Sequence, residues 1–205
     1  MSVGEFFAMN GYAFYVWGSY GVAVLVFAIE AKDKYTKGHC ENVGQYAEAI
    51  SEALGLSPQE VENIKIGGYL HDIGKIGILE KILLKPGKLT QEEFEEIKKH
   101  PHIGVKILEA INLPKDIIYA VKYHHERIKG NGYPENLTDD GSPPLPLVAS
   151  IIAVADSYEA MTSDRPYRKA LDKEDAMDEL RSGSGKFYDP KIVEVFLNLL
   201  EEGKV

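Results

Sequence analysis

The chain has 205 residues, 44% of them hydrophobic, enough for one ordinary domain with a real core and a short appendage. A formal net charge of −9 and a pI near 5.2 exclude a general role on DNA or RNA polymers, so an anionic ligand needs a local positive site. One cysteine, Cys40, excludes an internal disulfide framework and fits a reducing compartment or indifference to redox state. Beside His39 it reads as a small buried helix residue before it reads as a ligand.

In chain order, the first element is a run without charge from Phe6 to Ile29. As a helix it reaches ~36 Å at about 1.5 Å per residue, enough to cross a bilayer. Aromatic residues crowd one end of it (Phe6, Phe7, Tyr12, Phe14, Tyr15, Trp17, Tyr20). Lys32, Lys34 and Lys37 follow it, and no Lys or Arg precedes it. Residues 1–30 are therefore expected to form a hydrophobic N-terminal helix, a membrane anchor over 6–29, with residues 31–205 in the cytoplasm at the inner membrane. Without a basic leading region or a clear cleavage site, a removed signal peptide is not expected. The alternative is a buried or dimer-forming helix packed on the domain. The stretch from Glu5 to about residue 30 resembles the start of the small single-span haem-exporter protein D of cytochrome c maturation, which implies one transmembrane helix.

Residues 31–205 read as nearly all helix, with no convincing period-two alternation. Ser57-Pro-Gln-Glu60 is a capping box with proline at the first helical position, opening a helix toward His71-Asp72. Thr90-Gln-Glu-Glu93 is a second capping box, whose helix is expected to reach His100-Pro101. Pro114 precedes a helix ending at His124-His125-Glu126. Leu147 to Met161 has the apolar content of a buried helix and carries Asp156, and Asp189-Pro190 starts a last helix to about Leu200. Arg127 to Pro146, rich in Gly, Asn, Asp and Pro, is a long irregular piece directly after a histidine pair, which points to function.

Five of the six histidines fall into a spaced set: His39, His71-Asp72, His100, His124-His125, closed by Asp156. Imidazole nitrogens and carboxylate oxygens suit borderline first-row metals such as iron, manganese or zinc. A carboxylate among several histidines can bridge two ions, and two ions about 3.5–4 Å apart can clamp a phosphate and activate a water. That chemistry is phosphohydrolase chemistry. Gly74 allows a close approach beside the pair, and Lys75, three residues past Asp72, can donate to a phosphate oxygen. His102 matches no ligand position and reads as a surface residue.

These motifs resemble the HD-GYP branch of the HD phosphohydrolases over roughly residues 23–200. Asp33-Lys-Tyr-Thr-Lys-Gly-His39 resembles its opening motif, and His71-Asp72-Ile-Gly-Lys-Ile-Gly-Ile78 its HD motif. Lys85-Pro-Gly-Lys-Leu-Thr90 and His100-Pro-His-Ile-Gly104 match its middle. His124-His125-Glu126 followed by Gly130-Asn-Gly-Tyr133-Pro134 matches the motif that names the branch. Ala155-Asp156-Ser-Tyr-Glu-Ala-Met-Thr-Ser-Asp-Arg165-Pro-Tyr-Arg168 and Gly183-Ser-Gly-Lys-Phe-Tyr-Asp-Pro190 resemble its late elements.

The resemblance implies an all-α HD-domain helical bundle with a long loop carrying Gly132-Tyr133-Pro134, preceded by the hydrophobic N-terminal helix. It implies that His39, His71, Asp72 and Asp156 hold one ion, and that Asp72, His100, His124 and His125 hold a second. The ions would be iron or manganese. Lys75 would contact the water between them or the scissile phosphate, Tyr133 would line the dinucleotide pocket, and Arg165 and Arg168 would meet phosphates or guanine edges. The expected activity is hydrolysis of cyclic di-GMP to linear pGpG, GMP or both, in bacterial second-messenger signalling, with a homodimer or signalling proteins as further partners.

Two departures stand out. Tyr35 stands where some members carry a glutamate that supports a third metal, so two metals are expected; and Arg127-Ile-Lys129 replaces an aromatic-acidic step. The competing readings are an HD phosphohydrolase acting on another nucleotide, and a catalytically silent domain that binds cyclic di-GMP or a protein.

Overall fold

The computed structural model describes residues 13–32, 38–111, 113–137, 144–164 and 169–205, with side chains of the first helix from Gly21 onward apart from positions 29 and 31. Among the described residues there are helices and turns and no strand. In chain order they are α1 (Ala13–Lys32), α2 (His39–Ala53), α3 (Pro58–Leu70), a 3-10 turn (Ile73–Gly77), α4 (Glu80–Leu83), α5 (Gln91–Ile97), α6 (His100–Leu108), α7 (Lys115–Tyr123), α8 (Leu147–Thr162), α9 (Lys173–Gly183) and α10 (Pro190–Glu201).

The helix starts follow from local chemistry. The Ser57 hydroxyl accepts from the Glu60 N–H while the Glu60 carboxylate accepts from the Ser57 N–H, so two orphan donors at the start of α3 are satisfied. Thr90 and Glu93 do the same for α5. Asp189 caps α10, with Pro190 in its first turn.

The helix from Thr90 was expected to run to His100, and it stops at Ile97 instead. Pro101 explains the break: its ring clashes with the carbonyl four residues back, and it supplies no N–H. The carbonyl of Ile97 is taken by the His100 imidazole, Nδ1 to O 2.8 Å, and a new helix begins at His100.

Two apolar clusters hold the bundle. The larger joins α2, α3, α8, α9 and α10 through Ile50, Ile64, Ile151, Met177, Leu180 and Phe196. The smaller joins α2, α3, α6 and α7 through Cys40, Leu70, Ile73, Leu108, Ile117 and Val121. Cys40 is buried there, and burial first, then the carboxylate of Asp72, pushes its thiol up, so it packs as a neutral side chain. Cys40, Leu70, Ile73 and Ala155 are chain neighbours of His39, His71, Asp72 and Asp156, so both clusters fix the positions of the polar side chains between them.

The first helix is present, but the expected crossing does not follow from it. Val22, Leu25 and Val26 lie against the smaller cluster, while Val24 and Phe27 face outward. Among the described residues no helix is long and apolar enough to cross a membrane. Gly18, Ser19 and Gly21 interrupt the apolar run, and part of its apolar face is used by the domain. Residues 1–12, where the expected span begins, lie outside the described residues.

One glycine decides how closely two elements meet. A Cβ on Gly74 would stand 1.7 Å from the His100 carbonyl oxygen and 2.6 Å from the Gly104 nitrogen, so the 3-10 turn and α6 touch backbone to backbone. Gly74→Ala is expected to destabilise the protein by ~3 kcal/mol or more, at or beyond the upper end of overpacking costs, because a backbone and not a flexible side chain must move. Urea unfolding measures it, and an unchanged midpoint contradicts it.

Candidate metal centre

Four buried imidazoles and one buried carboxylate meet where α2, α3, α6 and α7 end or begin. His39 is the first residue of α2, after Gly38 in the left-handed conformation (φ 77°). His71 closes α3, and Asp72 follows at φ −96°, ψ 7°, between helix and 3-10 turn. His100 opens α6 and His124 closes α7. Asp156 alone sits mid-helix, on α8.

Each of the four rings has its Nδ1 occupied. His71 Nδ1 lies 2.7 Å from the Gly68 carbonyl, His100 Nδ1 2.8 Å from that of Ile97, and His124 Nδ1 3.1 Å from those of Ala120 and Val121. His39 Nδ1 hydrogen-bonds the carboxylate of Glu159, one turn beyond Asp156 on α8. With Nδ1–H donating outward, each Nε2 lone pair faces the centre.

There the distances are short. His39 and His71 Nε2 are 3.2 Å apart, and His100 and His124 Nε2 3.3 Å. Asp72 Oδ2 lies 3.4 Å from His71 Nε2 and 3.7 Å from His39 Nε2, while Asp72 Oδ1 lies 3.4 Å from His100 Nε2. Asp156 Oδ1 is 3.4 Å from His39 Nε2 and 3.9 Å from that of His71. Two groups of potential ligand atoms result, His39, His71 and Asp72 on one side and Asp72, His100, His124 and His125 on the other, with Asp72 common to both. Bonds of about 2.1 Å to one ion place neighbouring ligand atoms roughly 3.0–3.4 Å apart, so these separations fit cations. Lone pairs facing one another at such distances in a dry interior need positive charge between them.

The electrostatics agree. Burial alone raises the carboxyl of Asp72, but the Lys75 ammonium, 2.6 Å from Oδ2, and His71 outweigh it and hold the group well below the usual range. Burial pushes His100 down to about 4, against the pull of Asp72. Burial, then neighbouring histidines, holds His124 and His125 well below normal, so all three rings are neutral at pH 7 and able to ligate. For His71, burial is outweighed by Asp72 and Asp156, and the ring is raised.

The site has one open side. His39, His71, Asp72, His100 and His124 are buried, whereas Lys75, His125, Tyr133 and Asp156 are partly exposed. The Tyr133 ring lies over His125, centroids 4.5 Å apart and tilted 32°, and meets Phe94 edge to face at 6.4 Å. Burial, then Asp72 and Asp156, pushes the Tyr133 hydroxyl up, so it is a neutral donor.

The seven expected ligands and Lys75 are thus brought together, and Tyr133 stands beside them. Arg165 and Arg168 lie outside the described residues, as does Tyr35, on which the expectation of two metals rests. His102 is exposed on α6, as expected. Two buried residues to which the sequence motifs assign no role also border the site, Glu126 and Glu159. For Glu159 a signal existed: it stands three residues past Asp156, on the same helical face.

A family model described as HD domain matches residues 24–192. A cyclic di-GMP phosphodiesterase of Thermotoga maritima is 45% identical over 87% of this chain and 48% of its own length. The cyclic di-GMP phosphodiesterase response regulator RpfG of Xanthomonas campestris pv. campestris is 39% identical over 84% of this chain and 46% of its own. The chain spans about half the length of these curated relatives. Among solved structures, a cyclic GMP-AMP specific phosphodiesterase of Vibrio cholerae has the same fold, with TM-score 0.66 at 18% identity, over 89% of this chain and 49% of that one.

Two measurements test the geometry. Glu159→Ala is expected to weaken metal binding roughly 10–100-fold, as loss of a carboxylate behind a ligating histidine does, with Glu159→Gln in between; equal affinities in a metal titration contradict it. The pH dependence of the metal-free protein is the other. Unfolded histidines ionise near ~6.5, whereas His100, His124 and His125 stay neutral to lower pH when folded. The unfolded chain therefore takes up more protons as the pH falls, and stability falls from about 6.5 toward about 4. His71, raised, works in the opposite sense, one ring against three. Thermal unfolding of chelator-treated protein should show Tm dropping between pH 7 and 5, and a flat profile is inconsistent with this site.

Proposed function

The chain belongs to the HD-domain family, and on that premise we propose that it is a metal-dependent phosphodiesterase hydrolysing cyclic di-GMP to the linear dinucleotide, GMP, or both. The observation that supports this most is the convergence of four imidazole Nε2 atoms on the two oxygens of one buried carboxylate, open on one side. The names and identities of the relatives supply the substrate.

In this reading His39, His71, Asp72 and Asp156 hold one ion, and Asp72, His100, His124 and His125 the other. Iron or manganese suits a donor set of imidazoles and carboxylates with open positions. When bound, the ions supply an activated water and a positive field for the phosphoryl oxygens. Asp72 offers one oxygen to each side, which fixes the spacing. Lys75 stands at the open side with its ammonium on Asp72, placed to meet a phosphate oxygen as substrate enters. Tyr133 presents a ring on which a base can stack, backed by His125. Arg165 and Arg168 are proposed as phosphate or guanine contacts.

The test is anaerobic purification with Fe(II) or Mn(II), followed by chromatography of cyclic di-GMP reactions. Asp72→Ala should lose roughly a thousandfold or more in rate, having lost the atom pair common to both ion sites. Tyr133→Ala should raise KM about tenfold with a smaller change in kcat. No turnover by protein carrying two metals per chain sinks the cyclic di-GMP assignment and turns the assay to other cyclic dinucleotides. No turnover and no metal favours a silent binding domain.

A further inference from the structure

We infer that Glu126 is a positioning residue: its buried carboxylate clasps the loop that carries Tyr133, and thereby sets substrate affinity without holding metal. Glu126 is fully buried directly after the histidine pair. Its oxygens accept from three consecutive backbone N–H groups at the far end of the loop: Glu135 and Asn136 to Oε1 at 2.7 and 3.0 Å, and Leu137 to Oε2 at 3.0 Å. Hydrogen bonds to an ionised acceptor are stronger than neutral ones, and successive N–H groups turned to one point form a nest for an anion. Here the anion is the chain's own carboxylate, so the nest closes residues 126–137 into a ring beside the metal centre.

The contents of the ring explain why closure matters. The Tyr133 N–H donates to the His125 carbonyl at 3.2 Å, folding the chain back on itself, and the Tyr133 ring then covers His125. The fold-back is tight: a Cβ on Gly132 would lie 2.5 Å from Glu126 Cα. On the outer side the Lys122 ammonium meets Glu135 at 2.5 Å, and the Arg127 guanidinium lies over the rings of Phe187 and Tyr188 at 5.1 and 5.3 Å. Lys122 and Tyr123 reach only the side chain of Glu135. The clasp holds the backbone of the segment just past Tyr133, through three N–H groups, to the buried residue that follows the histidine pair. Without it three N–H groups lose their acceptor, and Tyr133 must be ordered when substrate arrives.

The kinetic part rests on the phosphodiesterase reading, and the structural part does not. The experiment uses the full chain as parent, Glu126→Gln and Glu126→Ala. Amide hydrogen exchange follows residues 135–137, metal content is measured, and kinetics are recorded on cyclic di-GMP and on bis(4-nitrophenyl) phosphate, a small diester with no nucleobase to place. Protection at 135–137 should vanish in the alanine variant and weaken in the glutamine variant. Metal content and small-diester hydrolysis should stay close to the parent's, while KM for cyclic di-GMP rises several-fold, up to the roughly tenfold expected for loss of the Tyr133 ring itself. Unchanged protection overturns the clasp. Loss of metal, or loss of both activities in equal proportion, overturns the separation of loop from metal. If Glu126→Ala fails to fold, Glu126→Gln decides on the same readouts. A parent inactive on cyclic di-GMP sinks the phosphodiesterase reading, while exchange and metal content still decide the clasp.

Discussion

The structure depends on burying several ionisable groups around Asp72 without leaving any unpaired. A carboxylate and four imidazoles in an apolar interior carry a large desolvation cost unless every polar atom has a partner. The chain meets that requirement in two layers. The outer layer engages each Nδ1, three with backbone carbonyls at the end of the helix just before the histidine and one with Glu159. The inner layer is the set of Nε2 atoms and Asp72 oxygens, spaced for cations. The outer layer thereby fixes tautomer and ring direction before any ion arrives, and this preorganisation distinguishes a ligand set from a cluster of buried histidines.

Helix ends make such a centre possible. The last carbonyls of a helix have no intrahelical donor, so a histidine three or four residues on can use one of them. His71 with Gly68, His100 with Ile97, and His124 with Ala120 and Val121 all do so. At His39, the first residue of α2, the Nδ1 partner is a side chain from α8. Glu159 is thus the one side-chain partner among the four. Together with Asp156 it couples α8 to the site twice.

How much could be read from the chain follows from the same chemistry. His39, His71, Asp72, His100, His124, His125 and Asp156 were legible because histidine pairs with outlying acids have few other uses, and because capping boxes and prolines marked the helices that carry them. Glu126 and Glu159 were not. A glutamate near the end of a helix ordinarily faces solvent, and nothing local shows that its partners are three backbone N–H groups or an imidazole 120 positions away. The break between α5 and α6 was missed because apolar spacing carries across it; Pro101 was the signal. Of the N-terminal run only the part from Ala13 is described as helix, and hydropathy could not show that Val22, Leu25 and Val26 pack on the domain's own core.

The open side sets a last constraint, from charge. The whole chain carries −9, and a cyclic dinucleotide is itself an anion, so at long range the protein repels the substrate proposed for it. Beyond a Debye length, about 8 Å at physiological ionic strength, that repulsion is screened. Within that distance the contacts are short and directional: the His/Asp cluster that would hold cations, the Lys75 ammonium on Asp72, and the ring of Tyr133. Affinity in such a site comes from placement and not from steering. A centre that cannot draw its ligand in from afar must hold its few contacts in register beforehand, which is the work the Nδ1 partners do for the imidazoles and the Glu126 clasp does for Tyr133.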